Sequence, residues 1–394
     1  WEQLYDLLAD MTFFEALYDS NQQEVSLYWA AVEASSAFKR TQAYQGALKE
    51  GLPLHVLNWL SINYMDAGFL QEAMDLLKEQ ERVCREINNL DELPGCLGNQ
   101  AHILYVWGKL EDAMALLNQQ ERLCKQLGNL DGLSACLGNQ AVILSTWGRL
   151  QEAMDLLKEQ ERLSKQQKNL DWLRACLGNQ ANILYAWGRL EEAMQLLKEQ
   201  ERLCNQLGNL NGLQRCLGNQ SNILYSWNSL KEAMALLKKQ EVLCKQLSDL
   251  EGLQACLGSQ ALILYDWGML EEAMGLHKEE ERLCRELNYQ DGLQVCLGSQ
   301  ALILSVWGRL EEALELHEEE ERICRDLNNP EGLSICLVNQ GAIYGKKGDR
   351  EKQIALLREA LAIAREHGLI SLSAEIEAFL KQIDPPAPPD KSYS

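Results

Sequence analysis

Two histidines stand at equivalent positions in consecutive segments of the chain, each with acidic residues close behind it. His277 is followed by Glu279 and Glu280, and His317 by Glu319 and Glu320. Imidazole and carboxylate groups are common metal ligands, so a metal site is one interpretation of this pattern. The other interpretation is an exposed polar stripe along a helix. Because no histidine shares a local cluster with cysteine at ligand spacing, the sequence predicts no metal site.

The remaining candidates for catalytic chemistry are the acidic runs, the cysteines and the glycines. The runs HKEEEER and HEEEERICRD supply many carboxylates, but repetition along a solvated helix face explains them better than an acid–base pair. A cysteine nucleophile needs an activating histidine, and none is indicated. The sequence contains no glycine-rich phosphate loop. We therefore predict a protein that is not an enzyme, with no catalytic residues and no cofactor.

The 13 cysteines all fall at two positions of a repeated segment. The first position holds Cys84, Cys124, Cys204, Cys244, Cys284 and Cys324, and the second holds Cys96, Cys136, Cys176, Cys216, Cys256, Cys296 and Cys336. A free cysteine packs as a small hydrophobic residue, so this placement favours a reduced compartment over disulfide bonds. The sequence shows neither a signal peptide nor an apolar run long enough to cross a bilayer. We expect a cytoplasmic protein.

The net charge of the chain is −21, from 37 basic and 58 acidic residues. Nucleic-acid binding requires clustered Lys and Arg to neutralise phosphates, and anionic membrane surfaces attract the same residues. The charge therefore argues against nucleic acid and membrane as partners. Two interpretations of the acidic residues stay open, a basic partner or a solvated face that keeps the protein soluble.

Tryptophan recurs every 40 residues, at Trp107, Trp147, Trp187, Trp227, Trp267 and Trp307. Such self-similarity at a fixed period is the signature of a solenoid. Within one period, apolar residues spaced by three and four predict a helix over 131–147 and a second over 149–166. Gly148 lies where a residue without Cβ can take the left-handed conformation that ends a helix. Neither helix can bury its apolar face alone, so we expect antiparallel pairs stacked on one another.

Two residue types recur where these helices must pack. Alanine is expected where two helices approach closely, at Ala113, Ala153, Ala193, Ala233, Ala273 and Ala313. We predict that the tryptophans close the gap between neighbouring repeats, with ligand stacking as the alternative.

The segment WGRLEEAM resembles the turn and second-helix start of the tetratricopeptide repeat, with glycine, an apolar residue two positions later and alanine five after the glycine. The 40-residue unit is similar to that of Pins-type polarity adaptors and kinesin light chains. This resemblance implies an all-α fold, a right-handed superhelical solenoid of antiparallel helix pairs. The chain departs from the family pattern at Gln140 and Ala141, where the family has Leu and Gly, and at Leu157, where an aromatic residue is usual.

The domain organisation predicted from the sequence has four parts. Residues 1–52 form an N-terminal helical cap or a linker from an upstream domain, 53–366 eight repeats, 367–383 a C-terminal capping helix and 384–394 a Pro-rich disordered tail. The motifs FFEALYD and LYWAAVE weakly resemble the segment before the repeats in nephrocystin-3-like signal-transducing (STAND) ATPases. The chain begins at Trp1 rather than Met, in keeping with a piece of a longer protein.

The predicted partner-binding site lies on the first helix of each pair, on the concave side away from the second helix. In the Pins-type and kinesin-light-chain proteins, the matching asparagine bonds the backbone of an extended peptide, and an amide offers both a donor and an acceptor. The alternative is that this asparagine bonds a neighbouring helix, beside Gly98 and its equivalents. Positions that vary between repeats complete the site, and tyrosines among them supply contact area. The predicted contacts are Asn99, Asn139, Asn179, Asn219, Asn339, His102, Tyr105, Asn182, Tyr185, Arg215, Asn222, Tyr225, Leu262, Tyr265 and Asp266.

The sequence therefore predicts a non-catalytic scaffold that binds a protein or peptide in the groove of the first helices. One alternative is the ligand-sensing repeat module of a signal-transducing ATPase whose catalytic domain lies upstream of this chain. Another is a solenoid that assembles with copies of itself.

Overall fold

The computed structural model describes residues 52–66 and 68–384, and every regular element in these ranges is an α-helix. Residues 1–51 and 385–394, to which the sequence assigns N-terminal helices and a Pro-rich tail, lie outside the described residues. The chain divides into two compact units at Leu196 and Leu197. No helix in the described ranges combines the length and the hydropathy needed to cross a membrane.

The helices of the first unit are α1 (Leu52–Asp66), α2 (Leu70–Glu86), α3 (Leu93–Val106), α4 (Leu110–Leu127), α5 (Leu130–Thr146), α6 (Leu150–Gln167), α7 (Leu170–Ala186) and the start of α8 (Leu190–Leu207). The second unit contains the rest of α8, α9 (Leu210–Ser226), α10 (Leu230–Leu247), α11 (Leu250–Asp266), α12 (Leu270–Glu286), α13 (Gln290–Val306), α14 (Leu310–Asp326), α15 (Pro330–Lys346), α16 (Arg350–Glu366) and α17 (Ile370–Ile383).

These helices form antiparallel pairs, as the apolar spacing predicts. We call the odd-numbered helices α1 to α15 helix A and the even-numbered helices α2 to α16 helix B. Within each unit, helix A packs against the helix B that follows it, and that helix B packs against the next helix A. At the C-terminal end, α17 packs against α16, with Ile376 buried between them. The fold is an all-α solenoid of stacked helix pairs.

Left-handed backbone ends both helices of a pair. After helix A the residue is glycine in every copy except Asn228, and Gly148 has a φ of 73°. After helix B it is more often a residue with a side chain, such as Lys168 with a φ of 58° and Ser248 with a φ of 53°. The following helix A usually begins with a side-chain cap, as where the Gly132 N–H donates to Asn129 Oδ1 at 2.8 Å. The turns are therefore fixed by local backbone preferences.

The Lys168→Gly substitution is expected to stabilise the first unit by about 1 kcal/mol, because the left-handed conformation costs a residue with Cβ about that much. The measurement is the urea midpoint of unfolding for the wild type and the variant. Gln167→Gly, inside the last turn of α6, is the control and should lower that midpoint. A midpoint that falls for Lys168→Gly as well would contradict the backbone explanation.

Successive pairs are joined by two recurring polar contacts between helix B and the next helix A. Gln140 Nε2 on α5 donates to Glu121 Oε2 on α4 at 2.9 Å, and Cys136 Sγ donates to the Leu117 carbonyl at 3.1 Å. Burial alone would raise the pKa of Glu121, but hydrogen bonds from Lys125 and Gln140 bring it below its usual value. The departure from the family pattern at Gln140 thus has a structural reason, since this amide bonds the preceding repeat.

Inside three pairs, a glycine on helix A faces a buried glutamine on helix B: Gly98 and Gln120, Gly138 and Gln160, and Gly218 and Gln240. A Cβ on Gly138 would lie 2.9 Å from Gln160 Nε2, so a larger residue at this position requires the glutamine side chain to shift. The last pair is different, because Val338 replaces the glycine and Ala360 replaces the glutamine. Val338 packs against the core cluster that contains Ala360. Glycine and glutamine are therefore one packing unit, exchanged together for valine and alanine.

The invariant tryptophans and alanines form the contacts between repeats. Trp107 packs on the cluster that contains Ala73 and Met74 of the preceding pair, and Trp147 packs on the one that contains Ala113. These alanines are fully buried. The predicted packing role of the tryptophans agrees with these contacts; Trp107 and Trp147 are half-buried, and Trp227 and Trp267 are 39% exposed.

Candidate partner-binding face

One side of each helix A is open to solvent along its length. In α13 the exposed or half-buried residues Val295, Ser299, Leu302 and Val306 are spaced by four, three and four residues, which places them in one stripe. The helices α9, α11, α13 and α15 contact one another in that order, so their stripes adjoin. We call this surface the helix-A face; its residues are Arg215, Asn219, Asn222, Ser226, Ala255, Ser259, Leu262, Asp266, Val295, Ser299, Leu302, Val306, Ile335, Asn339, Ala342 and Lys346.

The predicted contact residues of the second unit lie on this face or at its edge. Tyr225 and Tyr265, which follow the stripe on α9 and α11, are exposed and half-buried respectively. In the first unit, the corresponding stripes on α3, α5 and α7 carry the other predicted contacts, all of them exposed or half-buried: Asn99, His102, Tyr105, Asn139, Asn179, Asn182 and Tyr185. No predicted contact residue is buried in the core.

The α9 end of the helix-A face is polar and aromatic. Tyr225 Oη donates to Asp266 Oδ2 at 2.8 Å, which links α9 to α11. This hydrogen bond, together with partial burial, raises the pKa of Tyr225. Asn222 is exposed one turn away, beside the half-buried Asn219. This end therefore offers amide and phenol groups that can pair with the backbone of a bound chain.

The α13 and α15 end of the face is apolar, and it includes two residues that the sequence analysis missed, Val295 and Ile335. Val295 is 57% exposed, Val306 55% and Ile335 43%, and Leu302 lies between the two valines. The contact prediction included the equivalent positions of Leu302, Val306 and Val295 only as Leu262, Asp266 and Arg215 of earlier repeats. The signal was present in the sequence, because the position four residues before each asparagine changes from Gly95 to Val and Ile along the chain.

The glycines beside the asparagines do not belong to this surface. Gly98 is buried, and a Cβ there would lie 3.0 Å from Gln120 Nε2 on α4. It therefore faces helix B instead of the groove. Residues at adjacent positions of a helix point about 100° apart, so Asn99 is half-buried at the edge while Gly98 is in the core.

Residues 336–367, which cover most of α15 and α16, match the tetratricopeptide repeat family. The preceding helix pairs have the same turns and the same inter-repeat contacts. The repeats are thus similar to tetratricopeptide repeats. No curated protein sequence matches the chain.

Solved structures with tetratricopeptide-like folds are similar over most of the chain. The quorum sensor NprR from B. thuringiensis is 14% identical, with 92% of this chain and 99% of that chain covered and a TM-score of 0.59. A STAND protein with a tetratricopeptide repeat sensor from Pyrococcus horikoshii is 15% identical, with 91% and 55% covered and a TM-score of 0.57. The Rap conjugation gene regulator of plasmid pLS20, in complex with the Phr* peptide, is 12% identical, with 83% and 97% covered and a TM-score of 0.55. At these identities, the similarity concerns the fold alone.

The histidines of α12 and α14 are buried, so the interpretation as an exposed polar stripe is wrong. His277 is 2% exposed and His317 is fully buried. They occupy the core position of helix B that holds Leu77, Leu117 and Leu157 in earlier repeats. Each bonds the glutamate three residues later, with Nδ1–Oε2 distances of 2.8 Å in α12 and 2.6 Å in α14. The sequence placed both glutamates in a solvated run, but helical spacing turns them inward.

The cysteines of the repeats are unsuited to nucleophilic chemistry. All 13 lie within the described ranges and are buried and unpaired with one another in disulfides. Burial raises the pKa of Cys256 to about 11 and that of Cys136 to about 12. A thiol with such a pKa holds its proton at neutral pH and is a poor nucleophile. Their burial agrees with the packing role that the sequence predicts for them.

Proposed function

We propose that this protein is a non-catalytic scaffold whose helix-A face binds an extended peptide segment of a partner protein. The observation that carries the proposal is the exposed apolar group formed by Val295, Leu302, Val306 and Ile335, on the same face as the polar stripe of α9. Soluble proteins rarely leave contiguous large apolar side chains exposed without a binding role. A single stripe that is polar at one end and apolar at the other suits a chain with one apolar anchor.

The partner suggested by this chemistry is a peptide with apolar side chains at one end and free backbone groups at the other. The apolar end can cover Leu- or Ile-sized side chains on an extended chain. One of the similar structures, the Rap regulator of pLS20, is in complex with the Phr* peptide. That precedent supports a peptide ligand on this fold, and the partner's sequence follows from the test below. We place the protein in the cytoplasm on the ground of its reduced, buried thiols.

In this proposal the repeats act as a module. Residues 53–366 form the binding array, 367–383 close its C-terminal end, and 1–52 and 384–394 connect it to other segments.

The second candidate is the sensor half of a signal-transducing ATPase, in which peptide capture would release an upstream domain. It is favoured by the similarity to the Pyrococcus horikoshii STAND protein, of which this chain covers 55%. A phosphate-binding loop encoded upstream of Trp1 would support that candidate, and an upstream sequence without one would remove it.

Leu302→Glu is expected to weaken peptide binding at least tenfold, because it places a charge at the centre of the apolar group. Peptides would be selected on the immobilised protein from a phage-displayed random library, and their Kd measured by fluorescence anisotropy. Asn222→Ala tests the polar end of the same face, where a smaller loss is expected because one hydrogen bond contributes about 1 kcal/mol.

The matched control is Val242→Glu, which introduces the same charge at a residue of helix B that is 64% exposed and lies off the helix-A face. Its Kd should equal that of the wild type. The site assignment would be wrong if Leu302→Glu bound the selected peptides as tightly as the wild type, or if both variants lost binding equally. Recovery of no peptide would count against the proposed function as a whole.

A further inference from the structure

Two core positions of helix B change together in two of the repeats. In the five pairs from α2 to α10, these positions hold leucine and glutamine three residues apart, as in Leu157 and Gln160. In α12 and α14 they hold histidine and glutamate. Both replacements introduce ionisable groups into a buried site, which is costly unless they bind one another or an ion. The coupled change therefore indicates a specific polar function at this place in the core.

The second of these pairs lies beside a cysteine of the next helix. His317 Nδ1 is 2.6 Å from Glu320 Oε2 on α14, and Cys336 Sγ on α15 is 4.0 Å from the same nitrogen. The three side chains are buried, and one ligand atom of each lies within 4.8 Å of the others. The remaining ring nitrogen, His317 Nε2, is buried with no hydrogen-bond partner within residues 52–384. The polar contacts of this ring are thus confined to the cluster.

We propose that His317, Glu320 and Cys336 bind one zinc ion. Thiolate, imidazole and carboxylate are the ligands that Zn²⁺ takes in proteins, at about 2.0 to 2.3 Å. Tetrahedral coordination at those lengths separates the ligand atoms by about 3.3 to 3.8 Å. The ion would therefore lengthen the 2.6 Å distance between His317 Nδ1 and Glu320 Oε2 by under about 1 Å. It would shorten the 4.0 Å distance between Cys336 Sγ and His317 Nδ1 by a few tenths of an ångström.

The charge of this cluster also suits a divalent cation. Burial and the nearby Glu320 carboxylate raise the pKa of the Cys336 thiol, so the apo site keeps this thiol protonated. Zinc would release that proton and leave a thiolate, a carboxylate and a neutral imidazole around a 2+ ion. The sum of those charges is zero, which suits a buried site. The ion would cross-link α15, which is the last helix A, to α14, which is the helix B before it.

The sister pair in α12 provides an internal contrast. Glu280 Oε1 accepts a hydrogen bond from Gln254 Nε2 at 3.0 Å, in addition to the contact of Oε2 with His277. Cys296 Sγ donates to the Leu293 carbonyl of its own helix, whereas Cys336 Sγ donates to the His317 carbonyl at 3.2 Å and lies 4.0 Å from His317 Nδ1. The residue equivalent to Gln254 is Gln294, whose side-chain oxygen accepts from Cys324 and Asn329. The α12 pair is thus a hydrogen-bonded pair, and the α14 pair joins a three-ligand cluster.

The test is cobalt substitution of the full chain, refolded from denaturant with Co²⁺ after chelation so that burial of the site does not prevent loading. We expect one equivalent to bind with a thiolate-to-cobalt charge-transfer band, and Zn²⁺ to displace it. Zn²⁺ should also raise the Tm of the apo protein, since a ligand that binds the folded state stabilises it. Cys336→Ser should remove the charge-transfer band.

The decisive variant is the double change His317→Leu and Glu320→Gln, which restores the side chains of the earlier repeats and should fold. It should lose both the stoichiometric Co²⁺ binding and the Zn²⁺-dependent rise in Tm. The matched control, His277→Leu with Glu280→Gln, should keep both. The proposal is overturned if the wild type binds no Co²⁺ with thiolate ligation, or if the α14 double variant binds it as the wild type does.

Discussion

Gly138→Val is expected to destabilise the first unit by about 3 kcal/mol, and a second change, Gln160→Ala, is expected to recover most of that loss. The valine would overlap Gln160 Nε2, which already lies 2.9 Å from the position of a Cβ. Inserting atoms into a packed core costs about 1 to 3 kcal/mol, and the upper end applies because both residues are buried. Alanine at 160 leaves room for the valine, as Ala360 does for Val338 in the last pair.

The measurement is a double-mutant cycle on the urea unfolding free energies of the wild type, the two single variants and the double variant. We expect a coupling energy of about 2 kcal/mol in favour of the double variant, within the range found for residues in contact. Additive effects of the two changes on the unfolding free energy would contradict the interpretation of Gly138 and Gln160 as one packing unit. Ala135→Val, at an outward position of the same helix, serves as the steric control and should have little effect.

Glu280→Ala is expected to lower the unfolding free energy of the second unit by about 3 kcal/mol, because it removes one partner of a buried pair. His277 Nδ1 and Gln254 Nε2 both bond this carboxylate, and both would remain buried without it. The change of both partners, His277→Leu with Glu280→Gln, should be neutral or stabilising by up to about 2 kcal/mol. An amide fits this place, since Gln240 Nε2 already donates to Gln214 Oε1 at the equivalent position in α10 and α9.

Urea denaturation of the two variants and the wild type at neutral pH provides the comparison. The single variant should be the least stable of the three proteins. If Glu280→Ala were as stable as the wild type, the buried pair would contribute nothing, and the coupled exchange of leucine and glutamine for histidine and glutamate would need another explanation. A double variant less stable than the single one would show that the histidine itself is required.

The sequence by itself determined the repeat, the helix pairs and the turns. The 40-residue spacing of tryptophan and the apolar positions three and four apart depend on local geometry, and α5 and α6 lie within one residue of the predicted helices. Gly148 ends its helix in the predicted left-handed conformation for the same local reason. The asparagine and tyrosine positions were also predicted to be accessible, and they are.

Only the tertiary structure decided which neighbour each polar core residue meets. Gly98 faces Gln120, Gln140 bonds Glu121 and His317 lies beside Cys336. Each of these contacts joins residues of two different helices, and it forms only because those helices pack against each other. Helical periodicity gives the direction of a side chain about its own axis, but it carries no information on the partner across the interface. For the same reason the sequence analysis did not include Val295 and Ile335, since these two residues adjoin only when α13 lies beside α15.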